Sequence, residues 1–209
     1  MTKQISTNYH QELLQYFQVY GTMLDIGCRS LDYLFQFDNS KFRKLIGIDL
    51  ILPADPFQNY FEFKNPNPKK IEFDYGCLER RFAQKYRLFE KNILDFHIKK
   101  EHYGFIFCKH VIHFIPHDAQ AQLIDNLYCG LKNKGILFLI VNHNQNKQYL
   151  DRTKCERIGQ ECFKEIRKGI IHYLSDPDEM LKSLIDRFDL DLELKKIDDK
   201  SVTALIRKK

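Results

Sequence analysis

The sequence lacks the features that mark a secreted, zinc-bound or membrane-spanning protein. Its six cysteines form no Cys-x-x-Cys pair, so we expect reduced thiols rather than disulfides or a zinc ribbon. The longest apolar run, residues 136–141, is too short to cross a bilayer, and no basic-then-apolar signal segment opens the sequence. We therefore expect a soluble cytoplasmic protein that has no membrane partner.

A strong excess of charge of one sign is also missing. The net charge is only +5 over 209 residues, and the lysines and arginines alternate with acids except at residues 207–209. Nucleic acid is therefore not expected as a partner. The length and the apolar fraction of 44% fit a single domain over residues 1–209, and no feature specifies an oligomeric state.

The most informative segment is Met-Leu-Asp-Ile-Gly-Cys at residues 23–28, where an apolar strand breaks at Asp25 and Gly27. A cofactor pocket of the nucleotide-binding type begins this way, because a glycine lets the backbone approach a ligand closely. Arg29 and Leu31 follow where further glycines are usual. The missing Gly-x-Gly-x-x-Gly disfavours a nicotinamide-dependent oxidoreductase.

Three further segments run from apolar to polar residues as buried strands do. They are residues 45–49, ending at Asp49, residues 87–96, and residues 103–113. Asp49 follows the first strand at the interval of about twenty residues at which a doubly wound sheet presents an acid to a ribose. Helical segments alternate with the strands, which predicts a parallel sheet covered on both faces.

The remaining elements complete the expected fold. The hydrophobic period predicts helices over residues 8–17, 118–131, 144–168 and 176–188. Asp118 is expected to cap the second of these helices, which leads into a strand over residues 136–142. Alternation over residues 190–195 and 202–206 predicts a hairpin. The fold class is thus α/β, a mostly parallel doubly wound sheet with helices on both faces and an antiparallel C-terminal strand hairpin.

Residues 51–74 form an insertion between the second and third strands. Four prolines, Pro53, Pro56, Pro66 and Pro68, predict an irregular segment before a helix at residues 78–83. The insertion is rich in aromatic residues, which supports two interpretations. It could be a lid beside the pocket, or its aromatic rings could simply pack this excursion onto the domain.

The order of these motifs resembles that of the class I S-adenosylmethionine-dependent methyltransferases. The likeness rests on Leu-Asp-Ile-Gly-Cys at residues 24–28, Gly-Ile-Asp-Leu at 47–50, the turn after the third strand and the histidine-bearing loop after the fourth. It covers about residues 20 to 145, and the closing hairpin also fits. The resemblance implies S-adenosylmethionine as cofactor and methyl transfer, to a small-molecule acceptor because no second substrate domain or basic tract is present.

The resemblance assigns the cofactor site to Asp25, Gly27, Cys28, Arg29, Asp49, Leu50, Asn92, Ile93, Lys109 and His110. In it, Asp49 binds the ribose hydroxyls, Leu50 packs on the adenine, and Asn92 accepts a hydrogen bond from the adenine amino group. Arg29 replaces the second glycine of the family. Its guanidinium could pair with the carboxylate of the cofactor, or it could fill the pocket and leave a catalytically silent domain used for cofactor sensing or protein association.

Methyl transfer from a sulfonium needs little covalent help, so a catalytic residue would only assist as a base. His113 is the first candidate for that base and His143 the second. A zinc site at His110, His113 and His117 is disfavoured, since Pro116 interrupts their spacing. Cys155 and Cys162, seven residues apart, are interpreted as buried thiols on one helical face. The strand end at residues 172–173 could reach the acceptor from above, but packing on the core is favoured.

Overall fold

The computed structural model describes residues 21–37, 42–64, 75–188 and 191–209. Its strands are β1 Gly21–Ile26, β2 Phe42–Asp49, β3 Tyr86–Glu90, β4 Tyr103–Lys109, β5 Leu131–Asn142, β6 Cys155–Arg157, β7 Cys162–Glu165, β8 Ile171–Tyr173, β9 Leu192–Ile197 and β10 Ser201–Arg207. Its α-helices are α1 Asp32–Gln36, α2 Pro56–Lys64, α3 Tyr75–Lys85, α4 His117–Gly130, α5 Lys147–Leu150 and α6 Pro177–Phe188. The helix expected at residues 8–17 lies outside the described residues.

Seven strands form the main sheet, in the order β3-β2-β1-β4-β5-β10-β9. Strands β1 to β5 are parallel, and β10 pairs antiparallel with both β5 and β9. The reversal of strand order at β1 and β4 opens a crevice at their carboxyl ends, the usual ligand position in an open α/β sheet. The predicted fold class and its terminal hairpin are confirmed.

The central strands β1 and β4 are buried on both faces because their apolar residues are nearly continuous. In β1, Met23 points to one core cluster, while Leu24 and Ile26 point to the other. Helices α4 and α6 contribute to the cluster of Leu24, and α1 to that of Met23, which α2 and α3 also cover. Each face of the sheet therefore has its own apolar layer, as a doubly wound fold requires.

The start and end of α4 differ from the prediction. Its N-cap is Pro116, which makes no side-chain cap, and Asp118 lies within the first turn. The prediction of Asp118 as the capping residue was wrong, although an acid in the first turn still interacts favourably with the helix dipole. The helix ends at Gly130, and β5 begins at Leu131, five residues earlier than expected.

The insertion is less irregular than its prolines predicted. Helix α2 lies inside it, with Pro56 at the first helical position, where the missing N–H costs nothing. The carboxylate of Asp55 accepts the N–H of Gln58 at 2.8 Å and starts the helix. Helix α3 includes the predicted helix at residues 78–83. Residues 65–74 lie outside the described part of the chain.

Aromatic rings attach the insertion to the sheet. Tyr60 lies 5.3 Å from the ring of Phe35 in α1, and Phe82 stacks on Tyr86 of β3 at 4.6 Å. Tyr60 and Phe82 also contact one another at 5.4 Å. These contacts favour the interpretation in which the aromatic residues pack the insertion onto the domain. The lid stays a prediction, as does the assignment of residues 1–209 to one domain.

Residues 155–173 form a second, three-stranded antiparallel sheet in the order β6-β7-β8, here called the small sheet. The helix predicted over residues 144–168 was therefore wrong, apart from the single turn of α5. Two turns build the hairpins: Ile158 donates its N–H to the carbonyl of Cys162, and Gly169, at φ +69°, donates to that of Glu165. Cys155 and Cys162 consequently lie on neighbouring strands rather than on one helical face.

Among the described helices, none combines the length and the apolar character that crossing a membrane requires.

Candidate functional site

The loop after β1 forms the floor of the crevice. Gly27 has φ +76°, and its N–H donates to the carbonyl of Ile48 at the end of β2 over 2.8 Å. A Cβ atom at this position would lie 2.3 Å from Cγ2 of Val111 in the loop after β4. Glycine is therefore required both for the backbone conformation and for the close approach of the β1 and β4 loops.

The backbone of this loop keeps the form of a three-glycine turn. Alternate positions have positive φ: +76° at Gly27, +38° at Arg29 and +65° at Leu31. An L-residue in this region costs about 1 to 2 kcal/mol, so two strained residues stand where glycine would be relaxed. The side chain of Leu31 is buried in the core, whereas that of Arg29 is exposed. The exposure of Arg29 favours a guanidinium beside the crevice over one that fills it.

Asp49 connects the end of β2 to this loop. Its Oδ2 accepts the N–H of Arg29 at 2.8 Å, and its Oδ1 accepts the N–H of Ile51 at 3.3 Å. A carboxylate has about four acceptor positions, so Asp49 can accept further hydrogen bonds from a ligand. Leu50, which follows it, is 67% exposed and forms an apolar surface at the rim that a flat ligand would cover.

Asp25 is the most perturbed acid of the site. It is 1% exposed, and its Oδ2 has no hydrogen-bond partner. Burial, followed by repulsion from Asp49, raises the pKa of Asp25 to about 8. Burial, followed by the charge of Asp25, also raises the pKa of the Cys28 thiol. That thiol packs inward against Gly47, where a Cβ would lie 2.9 Å from it, so Cys28 faces the core with its side chain.

Asn92 and Ile93 lie after β3, on the far side of Asp49. The side chain of Asn92 accepts the N–H of Leu94 at 3.0 Å and caps a 3₁₀ turn over Ile93–Asp95. The amide oxygen keeps a second lone pair for a ligand. Ile93 is buried, and it lines a cavity of about 430 Å³ between this turn and α4.

Lys109 and His110 form the rim at the end of β4. The ammonium of Lys109 donates to the hydroxyl of Tyr33 and lies 4.6 Å from the centroid of that ring. His110 has φ +55°, and its N–H donates to the carbonyl of Ile140 at 2.7 Å. Desolvation and the charge of Lys109 lower the pKa of His110 to about 4. Strained non-glycine residues therefore lie on both sides of the crevice, as they often do at functional sites.

His113 lies over the carboxyl ends of β4 and β5, within a cluster of rings. It is 1% exposed, and its imidazole stacks on that of His172 with 5.5 Å between centroids and 11° between planes. Its Nε2 lies 3.4 Å from the amide nitrogen of Asn142, which also donates to the hydroxyl of Tyr149 at 2.9 Å. Burial, then the neighbouring imidazoles of His172 and His110, lowers the pKa of His113 to about 3.

Sequence reasoning missed Tyr149 and Asn142, and it gave a role of His172 toward the acceptor only as the less favoured alternative. The prediction for residues 172–173 was packing on the core, but β8 pairs with β7 in the small sheet and carries His172 to His113. Only the strand pairing reveals this contact. His143, the second candidate base, instead has its Nε2 2.9 Å from the carbonyl of Asp198 in the turn between β9 and β10.

Of the histidines named as disfavoured metal ligands, His110 and His113 remain neighbours, with 6.2 Å between their ring centroids. His117 starts α4, and its Nε2 lies 3.5 Å from a carboxylate oxygen of Glu161. Over the ranges that the structure describes, no group of three or more histidine, cysteine or acidic side chains is arranged to hold a metal ion.

Comparison with known proteins identifies the architecture. No protein-family model and no curated protein matches the sequence. The structure is similar to that of 1,6-didemethyltoxoflavin-N1-methyltransferase from Burkholderia thailandensis, solved with 1,6-didemethyltoxoflavin and S-adenosylhomocysteine. The TM-score is 0.61 at 10% identity, over 99% of this chain and 79% of that one.

Two further solved structures are similar over nearly the whole chain. The N-methyltransferase NodS from Bradyrhizobium japonicum, in complex with S-adenosylhomocysteine, has a TM-score of 0.56 at 14% identity, over 99% of this chain and 89% of that one. A methyltransferase from Methanosarcina mazei has a TM-score of 0.59 at 18% identity, over 94% and 96%. The strand order, the parallel core and the closing hairpin thus give this chain the fold of the class I S-adenosylmethionine-dependent methyltransferases.

Proposed function

We propose that this protein is an S-adenosylmethionine-dependent methyltransferase that acts on a small-molecule acceptor. The observation that carries the proposal is the turn at residues 27–31, which has the backbone of a three-glycine loop and is held by the carboxylate of Asp49. Such a turn leaves room for a ligand against the backbone, and the acid beside it is placed to receive a diol.

Each side of the crevice then has a role toward the cofactor. Asp49 accepts the ribose hydroxyl protons, Leu50 covers the adenine, and Asn92 and Ile93 receive the adenine edge. Asp25, Gly27 and the backbone of Cys28 line the methionine part, where Arg29 pairs with the carboxylate. Lys109 and His110 border the sulfonium side. The protein's main contribution is to hold nucleophile, methyl and sulfur in line.

His113 is proposed as the residue that contacts the acceptor. An imidazole whose pKa is about 3 is uncharged at neutral pH, so it is free to form a hydrogen bond with an O–H or N–H nucleophile. The Nε2 lone pair of His113 is held by the amide of Asn142, so its free Nδ1–H is the group that contacts the acceptor, and the role of His113 as a base stays a prediction. A small acceptor is supported by the Burkholderia thailandensis protein, whose structure holds a small molecule beside S-adenosylhomocysteine.

Asp49→Asn tests the cofactor site. The amide retains one oxygen for the N–H of Arg29 but loses the charge and half of the acceptor capacity, so we expect S-adenosylhomocysteine to bind about 100-fold more weakly. Isothermal titration calorimetry measures the affinity. Asp125→Asn, which removes a surface carboxylate paired with Arg187, is the matched control and should bind as the unmodified protein does. Absence of binding to the unmodified protein, or equal affinities, would contradict the proposal.

Arg29→Gly separates the backbone role of this position from its role toward the cofactor. Relief of the positive φ should stabilise the fold by about 0.5 to 1 kcal/mol, while loss of the guanidinium should weaken S-adenosylhomocysteine binding about fivefold. Lys134→Gly is the control, since Lys134 has φ +62° at the start of β5. It should give the same gain in urea unfolding with no change in binding; a tighter complex of Arg29→Gly would show that the guanidinium obstructs the crevice.

A second candidate function, a catalytically silent domain that binds the cofactor as a sensor, is favoured by the non-glycine residues at positions 29 and 31. Binding of S-adenosylmethionine without its consumption over a broad acceptor screen would support that alternative.

A further inference from the structure

Two buried imidazoles stand face to face where the small sheet meets the loop after β4. His113 is 1% exposed and His172 is 4% exposed, and the Nδ1 atom of each has no hydrogen-bond partner in the structure. An unpaired polar nitrogen in a buried position costs about 1 to 3 kcal/mol. A polar ligand that formed hydrogen bonds with both atoms would therefore gain binding free energy at this position.

The neighbours of each ring assign the free atoms opposite roles. Because the amide nitrogen of Asn142 donates toward Nε2 of His113, that Nε2 carries the lone pair and Nδ1 carries the proton. In His172 it is Nε2 that faces the carboxylate of Glu165, at 3.9 Å, so Nε2 carries the proton and Nδ1 the lone pair. The pair thus offers one donor and one acceptor.

The walls around this pair are aromatic. The ring of Tyr149 lies 4.8 Å from that of His172, and Phe114 lies 4.2 Å from His113 and 5.0 Å from His172. Phe114 is 43% exposed, so its ring contacts both the stack and solvent. The carboxylate of Glu165 is itself paired with Lys168 at 3.3 Å. A planar ligand could pack against these aromatic faces. A charged ligand would lose its hydration without an ion-pair partner, because the one carboxylate among the described residues that contacts the stack is already paired.

We propose that the His113–His172 pair recognises the methyl acceptor, and that this acceptor is an uncharged planar molecule in which a hydrogen-bond donor and a carbonyl acceptor stand together, as in an aromatic amide or lactam. The inference rests on the proposed function, because it places the acceptor beside the crevice for S-adenosylmethionine. It assigns substrate selection to the small sheet, which supplies His172.

Three isosteric probes test the proposal at pH 7: benzamide, which is neutral and carries both groups, benzoate, and benzamidinium. Imidazole resonances followed by NMR should report benzamide binding in the millimolar range, at least tenfold tighter than either charged probe. His172→Phe retains an aromatic ring but removes both nitrogens, and it should lose benzamide binding at least tenfold. His97→Phe, at an exposed position, is the control and should bind as the unmodified protein does.

The proposal is overturned if the three probes bind equally or if His172→Phe binds benzamide as the unmodified protein does. It is also overturned if no probe shifts the imidazole resonances, which is the result expected when an internal water occupies the Nδ1 atoms. If His172→Phe fails to fold, Glu165→Gln replaces it; that variant removes the carboxylate that sets the His172 tautomer and should weaken benzamide binding severalfold. S-adenosylhomocysteine is titrated into the same samples. Cofactor binding without discrimination among the probes overturns this inference alone, whereas benzamide binding without cofactor binding overturns the proposed function.

Discussion

Gly27→Ala is expected to destabilise the fold by about 3 kcal/mol and to abolish detectable binding of S-adenosylhomocysteine. The positive φ of +76° costs an L-residue about 1 to 2 kcal/mol, and the new Cβ would lie 2.3 Å from Cγ2 of Val111. The overlap is resolved only if the loops after β1 and β4 move apart. Because these loops form the floor and the rim of the crevice, the same movement disrupts the cofactor site.

Gly169→Ala isolates the backbone part of this effect. Gly169 has a similar φ of +69° in a turn of the small sheet, with nothing within 4 Å of an added Cβ, so its replacement should cost only about 1 kcal/mol. The double variant Gly27→Ala with Val111→Ala removes the overlapping methyl group and should recover part of both stability and binding. Urea unfolding and calorimetry measure the two quantities. Equal losses in Gly27→Ala and Gly169→Ala would show that the loops do not need this close approach.

The main sheet could be predicted because its signals are local. Segments such as residues 45–48 and 104–108 are apolar and bounded by polar turns, and the alternation of the last hairpin is visible within single strands. The acid at Asp49 and the glycine at Gly27 follow from the same strand ends. Their positions at one edge of the sheet need only the parallel order of the strands.

The small sheet could not be predicted for the opposite reason. Its strands have only three or four residues, and its sequence is polar and permissive for helix. Such segments are too short to show the two-residue alternation of a strand. The pairing of Phe163 with His172 sets the fold of this segment, and the identity of these two residues does not predict that they pair. The contact of His172 with His113 was therefore invisible.

Backbone conformation was hidden for a related reason. Arg29 and Leu31 looked like departures from a glycine-rich turn, but both adopt positive φ. Leu31 is completely buried, and Arg29 donates its N–H to Asp49. The energy of those contacts offsets the strain, so tertiary structure overrides the preference of the residue type.

Two buried titratable groups of the site change stability in opposite directions with pH. The pKa of Asp25 is raised from 3.8 to about 8, so between these values the folded protein holds a proton that the unfolded chain has released, and stability falls as pH rises. The pKa of His113 is lowered from 6.5 to about 3, so there the unfolded chain holds the extra proton, and stability falls as pH falls. Each group contributes about 1.4 kcal/mol per pH unit.

Asp25→Asn should therefore gain stability relative to the unmodified protein as pH rises, by about 3 kcal/mol between pH 5 and pH 7. His113→Gln should gain relative stability as pH falls, by about 2 kcal/mol between pH 6.5 and pH 5. In the unmodified protein the two groups change the free energy of unfolding in opposite directions from pH 4 to 6.5. Each variant therefore shows the pH dependence that comes from the group it retains. Urea unfolding at pH 5, 6, 7 and 8 measures these differences, with Asp125→Asn as the charge control. Profiles parallel to that of the unmodified protein would mean that Asp25 and His113 titrate normally, and the buried, partnerless atoms assigned to both would then be solvated.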